Sequence, residues 1–247
     1  MMLLVDAGNT RVKWALVDAN CGPGAWRAHG AVPHAQLDTL AAAWTAGGAT
    51  RALVSNVAGP QLAERIAAVL PAGIAVEWFA STSVRAGLRN GYREPGRLGC
   101  DRFAAAIGAR ALAPGQDLVV ATCGTATTVD AVSAEGVFIG GMILPGLALM
   151  ASSLARNTAQ LPQVAPGVLP ALFGDNTIDA ILSGLLSAQA GAIERAVAGH
   201  RATACIVSGG AAPHIAPALT IAHTVVDDIV LVGLQAVAAW TEEETGC

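Results

Sequence analysis

The stretch Met2-Leu-Leu-Val-Asp6-Ala-Gly-Asn-Thr10-Arg-Val-Lys-Trp-Ala-Leu-Val17 reads as an apolar strand, a tight polar turn and a second strand. Half a chain later, Leu118-Val-Val-Ala-Thr122-Cys-Gly124-Thr-Ala-Thr-Thr-Val129-Asp130 has the same form, with Gly8 and Gly124 at matching points. A third strand is expected after each pair, at 26–32 and 137–144. In the first half, helical spacing follows at 35–46 and 61–69, with short apolar runs suited to strands at 51–57 and 75–79. In the second half, helices are expected at 148–158 and 177–198, a strand at 204–207, an apolar helix at 230–240 and an acidic tail at 242–244. Strands alternating with helices predict an α/β fold. The shared order predicts two duplicated domains, 1–114 and 115–247, split near Pro114-Gly115, each opening with three antiparallel strands.

The surrounding composition excludes several classes. With 247 residues, 53% of them hydrophobic and 13% charged, and a mean hydropathy of +0.53, the chain is no disordered polypeptide. One long uncharged run, Gly136 to Ala155, is 20 residues, about the length that spans a bilayer. Its four glycines (136, 140, 141 and 146) and Pro145 break it into a strand, a turn and the start of a helix, so no membrane span is expected. No cation precedes the apolar opening, and Asp6 interrupts it, unlike a signal peptide. Five cysteines at irregular spacing read as free thiols in a reducing compartment, the cytoplasm. The net charge is −4, yet six arginines between Arg85 and Arg110 face only Glu94 and Asp101, a local +4. Such a patch suits a small anionic ligand or a solvated loop. With no basic domain and no reading helix visible, nucleic acid is not an expected partner.

Three glycine-containing turns carry the candidate chemistry. In Asp6-Ala-Gly-Asn-Thr10, Gly8 allows close backbone approach or positive φ, and its neighbours offer N–H groups and hydroxyls to a phosphate. Asp6 can hold a water of Mg²⁺, a hard cation that retains several waters. Arg11 and Lys13 add positive charge. A plain hairpin turn is the competing reading. Gly124-Thr-Ala-Thr-Thr128 is a second hydroxyl-rich turn, and Ser208-Gly-Gly210 suits a nucleotide lying against the backbone. Neither a P-loop nor a dinucleotide-binding glycine pattern is present. Between the halves, Gly99-Cys-Asp101-Arg102 opens a helix. Asp101 there can cap the helix or accept a hydroxyl proton, and Arg102 can hold a carboxylate; both roles of Asp101 stay open.

In order along nearly the whole chain, these segments resemble the type III pantothenate kinases, of the acetate and sugar kinase/Hsc70/actin superfamily, which includes Bvg accessory factor-like relatives. The resemblance rests on Asp6 through Thr10, Tyr92 through Arg102, Gly124 through Thr128, Gly141-Met-Ile-Leu-Pro-Gly146, Thr158-Ala-Gln-Leu-Pro162, Thr177 through Gly184 and Ser208-Gly-Gly210. It implies two ribonuclease H-like, actin-like ATPase domains, each a mixed sheet flanked by helices. It also implies ATP- and Mg²⁺-dependent phosphorylation of pantothenate to 4′-phosphopantothenate, the first step towards coenzyme A, in a homodimer. By that resemblance Asp6, Ala7, Gly8, Asn9, Thr10, Arg11, Val12, Lys13 and Thr125 contact ATP. Tyr92, Gly99, Cys100, Asp101, Arg102 and Thr177 surround pantothenate, with Asp101 the proton acceptor. Two positions depart from relatives: Thr122 stands where many have an Asp that binds a monovalent cation (K⁺ or NH₄⁺), and Glu94 where some have Asn. The phosphate turns do not read the acceptor. A kinase of another small hydroxy acid or sugar, and a catalytically idle transcription-accessory protein, are therefore the alternatives.

Overall fold

The computed structural model describes residues 1–18, 21–165, 167 and 169–240; the acidic tail lies outside them. The chain packs as two units. One holds Met1–Pro114, Gly136–Phe138 and the segment from Asp228; the other holds Gly115–Glu135 and Ile139–Asp227. These are not the expected halves 1–114 and 115–247, because the last helix packs in the first unit.

In the first unit, β1 (Met2–Ala7) pairs antiparallel with β2 (Arg11–Val17), and β2 with β3 (Ala28–Pro33). A 3-10 turn and α1 (Leu40–Ala46) lead to β4 (Arg51–Asn56), which lies parallel to β1. Next come α2 (Pro60–Val69) and β5 (Ala75–Phe79), parallel to β4, giving the order β3-β2-β1-β4-β5. Because β1 is central, its run Leu3–Val5 is fully buried on both faces. Leu3, Val5, Val12, Trp14 and Val54 face Leu40 and Trp44 of α1 and Leu62 and Ile66 of α2. The opposite face carries Leu4, Asp6, Lys13 and Ser55, since side chains alternate along a strand. The hairpin β6 (Val84–Arg85) and β7 (Leu88–Asn90) was not expected from sequence; β7 pairs with Val137 and Phe138.

That opposite face is covered by α3 (Cys100–Leu112) and by the C-terminal helix. In the second unit β8 (Leu118–Cys123), β9 (Ala126–Val132) and β10 (Val137–Pro145, whose first two residues count with the first unit) are followed by α4 (Leu147–Asn157) and α5 (Thr177–His200). β11 (Ala204–Ser208), the short α6 (Ala212–Ile215) and β12 (Thr224–Val225) complete it, in the order β10-β9-β8-β11-β12. The first sheet's order, 3-2-1-4-5, is thus repeated, with β8 antiparallel to β9 and parallel to β11. One face of this sheet packs against α4, α5 and α6 through Val119, Ala121, Val129, Val207, Leu182 and Leu185.

The closing helix, α7 (Ile229–Ala239), is apolar but for Gln235 and buried on nearly every side, lying between α3 and strands β1, β2 and β4. Its crossing with α3 depends on two glycines. A Cβ on Gly108 would stand 2.7 Å from Gly233 N and Ile229 O, and one on Gly233 would overlap the Ala104 carbonyl oxygen. Alanine gains up to about 1 kcal/mol over glycine in a helix, whereas overpacking costs about 1–3 kcal/mol. Here the obstacle is backbone, which cannot rotate aside. Gly233→Ala is therefore expected to destabilise the protein in chemical denaturation, while Gly191→Ala, where a Cβ meets nothing within 4 Å, should stabilise it.

Candidate active site

The first turn joins two strands of the buried sheet, so its ends are fixed. Gly8 N–H donates to Arg11 O at 3.1 Å, closing the hairpin. Gly8 does not take positive φ, and a Cβ there would sit 3.6 Å from Arg11 O, an ordinary contact. Of the two uses expected for this glycine, only bare backbone approach is left. From outside the hairpin, His34 Nε2 donates to Gly8 O at 2.8 Å, and Arg11 donates to Ala31 O at 3.0 Å. Asn9 and Thr10 are exposed at the tip, and Ala7 and Val12 are buried beneath it.

Asp6 ends β1 opposite Lys13 on β2 and Ser55 on β4. Its carboxyl is pushed up to about 7, first by burial; Lys13 lowers it, while Asp101 and Asp228 raise it further. The Lys13 ammonium pairs with Asp228 at 2.6 Å. These groups gather at the carboxyl ends of parallel strands, where sheets of this class bind ligands.

Helix α3 begins beside them. Its N-cap is Gly99, not Asp101. Asp101 lies in the first turn, where its Oδ1 accepts from Arg102 N at 2.8 Å, so it still serves one of the helix's unpaired N–H groups. Burial pushes its carboxyl up, against that hydrogen bond and the Arg102 charge. Cys100 hydrogen-bonds Ser55 Oγ at 3.4 Å and the Asn56 carbonyl at 3.6 Å, tying α3 to β4; burial pushes its thiol up, which suits structure over nucleophilic chemistry. Buried Arg102 donates to Tyr92 Oη at 2.8 Å and lies 5.7 Å from the ring centroids of both Tyr92 and Phe138. Asn90 shapes the Tyr92 loop by accepting from Tyr92 N and donating to Pro95 O.

Four of the six arginines between Arg85 and Arg110 have partners in the structure. Arg85 pairs with Glu77, Arg97 with Glu94, and Arg110 donates to Gly87 O, while Arg102 is the member next to Asp101.

The second turn, in the other unit, repeats the design: Gly124 N–H donates to Ala126 O at 3.0 Å. Two sequence motifs find their reason here. Gly146 N–H donates to Thr125 O at 2.9 Å, and a Cβ on Gly146 would overlap Gly124 O. Gly209, with φ +96°, lies against Cys123 O, where a Cβ would also overlap. Thr125 is exposed at the tip. Thr122 faces Thr128 and Ser208 across the strands, and the Oγ1 atoms of Thr122 and Thr128 are buried with no hydrogen-bond partner. Thr177 is the exposed first residue of α5, capped by Asn176, which accepts from Asp179 N at 3.1 Å.

Asp6, Lys13, Asp101, Arg102 and Tyr92 are thus brought together in one unit, and Thr125 and Thr177 stand on separate elements of the other. Sequence reasoning missed His34 and Asp228, which reach the site across gaps in sequence, and Asn90, which orders the nearby Tyr92 loop. Among the described residues no three of His, Cys, Asp and Glu could share a metal ion. A buried carboxylate such as Asp6 fits Mg²⁺ instead, which binds one or two carboxylates and keeps several of its waters beside the substrate phosphates.

A family model for type III pantothenate kinase matches residues 2–199. The type III pantothenate kinase of Herminiimonas arsenicoxydans is 57% identical over 256 residues, covering 98% of this chain and 98% of that protein. That of Janthinobacterium sp. (strain Marseille) is 58% identical over 253 residues, covering 96% and 97%. In fold, the chain is similar to the activator of the 2-hydroxyisocaproyl-CoA dehydratase from Clostridium difficile with bound ADPNP, with a TM-score of 0.56, 12% identity and coverage of 98% and 94%. This chain is a kinase with the actin-like ATPase fold, and it belongs to the type III pantothenate kinase family.

Proposed function

We propose that this chain transfers the γ-phosphoryl group of ATP to the hydroxyl of pantothenate, giving ADP and 4′-phosphopantothenate. The observation that carries this reading is the placing of Asp101 and Arg102 at one helix start beside Asp6 and Lys13, in a chain of this family. Asp101, its pKa raised by burial, takes the proton as the hydroxyl oxygen bonds to phosphorus and the bond to the bridging oxygen of ADP breaks. Arg102, backed by Tyr92, binds the pantothenate carboxylate. The stretch Asp6–Lys13 and Thr125 hold the phosphates. Mg²⁺, when bound, neutralises charge on the β- and γ-phosphates, and Asp6 holds one of its waters.

The chain works as a homodimer in the cytoplasm, with Thr177 at the pantothenate pocket near the subunit interface. Supporting this, Thr177 is flanked by large exposed apolar side chains: Leu172 at 70%, Phe173 at 87% and Ile178 at 52%. Four described cysteines are free thiols, as a reducing compartment requires, and no described helix is long and apolar enough to cross a membrane.

Product formation from ATP, pantothenate and Mg²⁺, followed by mass spectrometry, tests the reading; phosphorylation of another hydroxy acid but not pantothenate would overturn it. Asp101→Asn should keep nucleotide binding and slow turnover by about 10²–10⁴-fold, and Arg102→Ala should chiefly raise KM for pantothenate.

Asp6 gives a pH prediction. Its pKa is higher in the folded protein (about 7) than its ordinary 3.8. Its carboxyl therefore burdens the fold least below about pH 4, and the cost grows as pH rises towards 7 and stays in full above it. In metal-free buffer Asp6→Asn should raise Tm by several degrees at pH 8 and by little at pH 4, while turnover is lost.

Thr122 offers a monovalent cation a neutral hydroxyl where, by the family resemblance, many relatives supply a carboxylate. Exchanging K⁺ for a bulky organic cation at fixed ionic strength should change turnover little, and Thr122→Asp should make it K⁺-responsive. A steep, saturable K⁺ requirement in the unaltered protein would contradict this.

A further inference from the structure

Asp6 and Lys13 are directly opposed across β1 and β2, so their side chains leave the same face of the sheet with Cβ atoms about 4.5–5.5 Å apart. Left to themselves, an aspartate and a lysine so placed and half-shielded from water would pair. Among the described residues Lys13 instead pairs with Asp228, at 2.6 Å.

Asp228 is built for that contact at the expense of a commoner one. It is the N-cap of α7, the position at which an aspartate ordinarily takes extended backbone angles and accepts a hydrogen bond from its own helix. Here its backbone is left-handed, φ 53° and ψ 46°, and the carboxylate makes no cap bond. A non-glycine residue held in that region costs free energy and persists only where its surroundings enforce it.

Those surroundings are rigid. The α3–α7 crossing at Gly108 and Gly233 fixes the helix. Gln235, one face further along, donates to Cys21 O at 3.1 Å and Gly22 O at 2.9 Å and accepts from Gly24 N at 2.8 Å. These bonds clamp α7 to the loop between β2 and β3, and so fix the start of α7 relative to the hairpin that bears Lys13.

We propose that Asp228 is a positioning residue for phosphoryl transfer: by holding the Lys13 ammonium it keeps Lys13 off Asp6, so that the cation stays placed for the transferred phosphate and Asp6 stays open to the metal's water. The inference rests on the reading of Asp6–Lys13 as the phosphate-binding hairpin.

The test is Asp228→Asn, which keeps the shape of the side chain and tolerates the left-handed backbone. It is compared with Lys13→Ala and with the double variant. Turnover at saturating pantothenate is measured beside ATP binding by calorimetry without Mg²⁺. The expected result is a split. kcat falls by about 10–100-fold, the scale of a small misplacement at a reacting centre. ATP affinity is held or rises a few-fold, because a negative charge has left the site. In the Lys13→Ala background Asp228→Asn costs nothing further, the mark of two residues acting as one unit. If Asp228→Asn turns over normally while Lys13→Ala is impaired, Asp228 has no such role and the inference fails alone. If Lys13→Ala itself binds ATP and turns over normally, the phosphate-hairpin reading fails and this inference with it. Loss of ATP affinity and kcat in parallel with a lowered Tm would assign Asp228 to the fold and overturn the proposal. Should the asparagine variant fail to fold, Asp228→Gly, which is at ease in the left-handed region, serves the same comparison.

Discussion

Two helices that touch backbone to backbone set the geometry of the charged groups in the first unit. Gly108 and Gly233 let α3 and α7 approach until no side chain separates them, and both helices lie on the face of the sheet that bears Asp6 and Lys13. Each helix begins near that face's polar end: α3 with Asp101 just after its glycine cap, α7 with Asp228 as its cap. A shift of either helix along the other would move a carboxylate relative to Asp6. A close-packed crossing resists such a shift, because interiors packed at crystal density have few alternative arrangements. Placing the acids on helix starts that are locked by glycine contact gives them a precision that a loop would not.

The arrangement is unfavourable for the isolated protein. Three carboxylates near one ammonium leave Asp6 with a carboxyl pushed up to about 7 by burial and by Asp101 and Asp228. A fold selected for stability alone would place a neutral residue there, since burying an ill-compensated charge is among the costlier things a protein does. That cost makes sense where a divalent cation and a polyphosphate complete the site, because the cation supplies the charge that burial withholds. Asp101 has a milder version of the same condition, and a carboxyl with its pKa raised towards neutrality is the better proton acceptor.

Much of the architecture was legible because it is written in local pattern. Apolar runs, glycine turns and helical spacing give the strands β1, β2, β8 and β9 and the helices α2, α3, α5 and α7 to within a few residues. The duplication shows as the same order of elements twice. What stayed hidden depends on contacts between residues far apart in sequence. The destination of α7 could not be read from its composition, which says only that it is buried. Nor could Asp228: an aspartate before an apolar helix reads as an ordinary cap, and only the left-handed backbone turns it towards Lys13. His34 and Asn90 carry no signal either, being single polar residues at the ends of short elements whose partners, the Gly8 carbonyl and the Tyr92 amide, are backbone groups.

The duplicated sheets have diverged in a way that divides the chemistry. Both central hairpins close with a glycine N–H bonded to the facing strand, at Gly8 and at Gly124. Around the first, the sheet's polar face carries a carboxylate and an ammonium, supported by a histidine and a second carboxylate on neighbouring elements. Around the second, the corresponding positions carry threonine and serine hydroxyls, and two further glycines, Gly146 and Gly209, lie against the turn itself. A turn crowded on both sides by bare backbone can offer N–H groups and hydroxyls but has no charge to move, whereas the first can organise a cation and a proton. The first copy of the hairpin therefore presents charged groups, and the second, in its own unit, presents neutral donors.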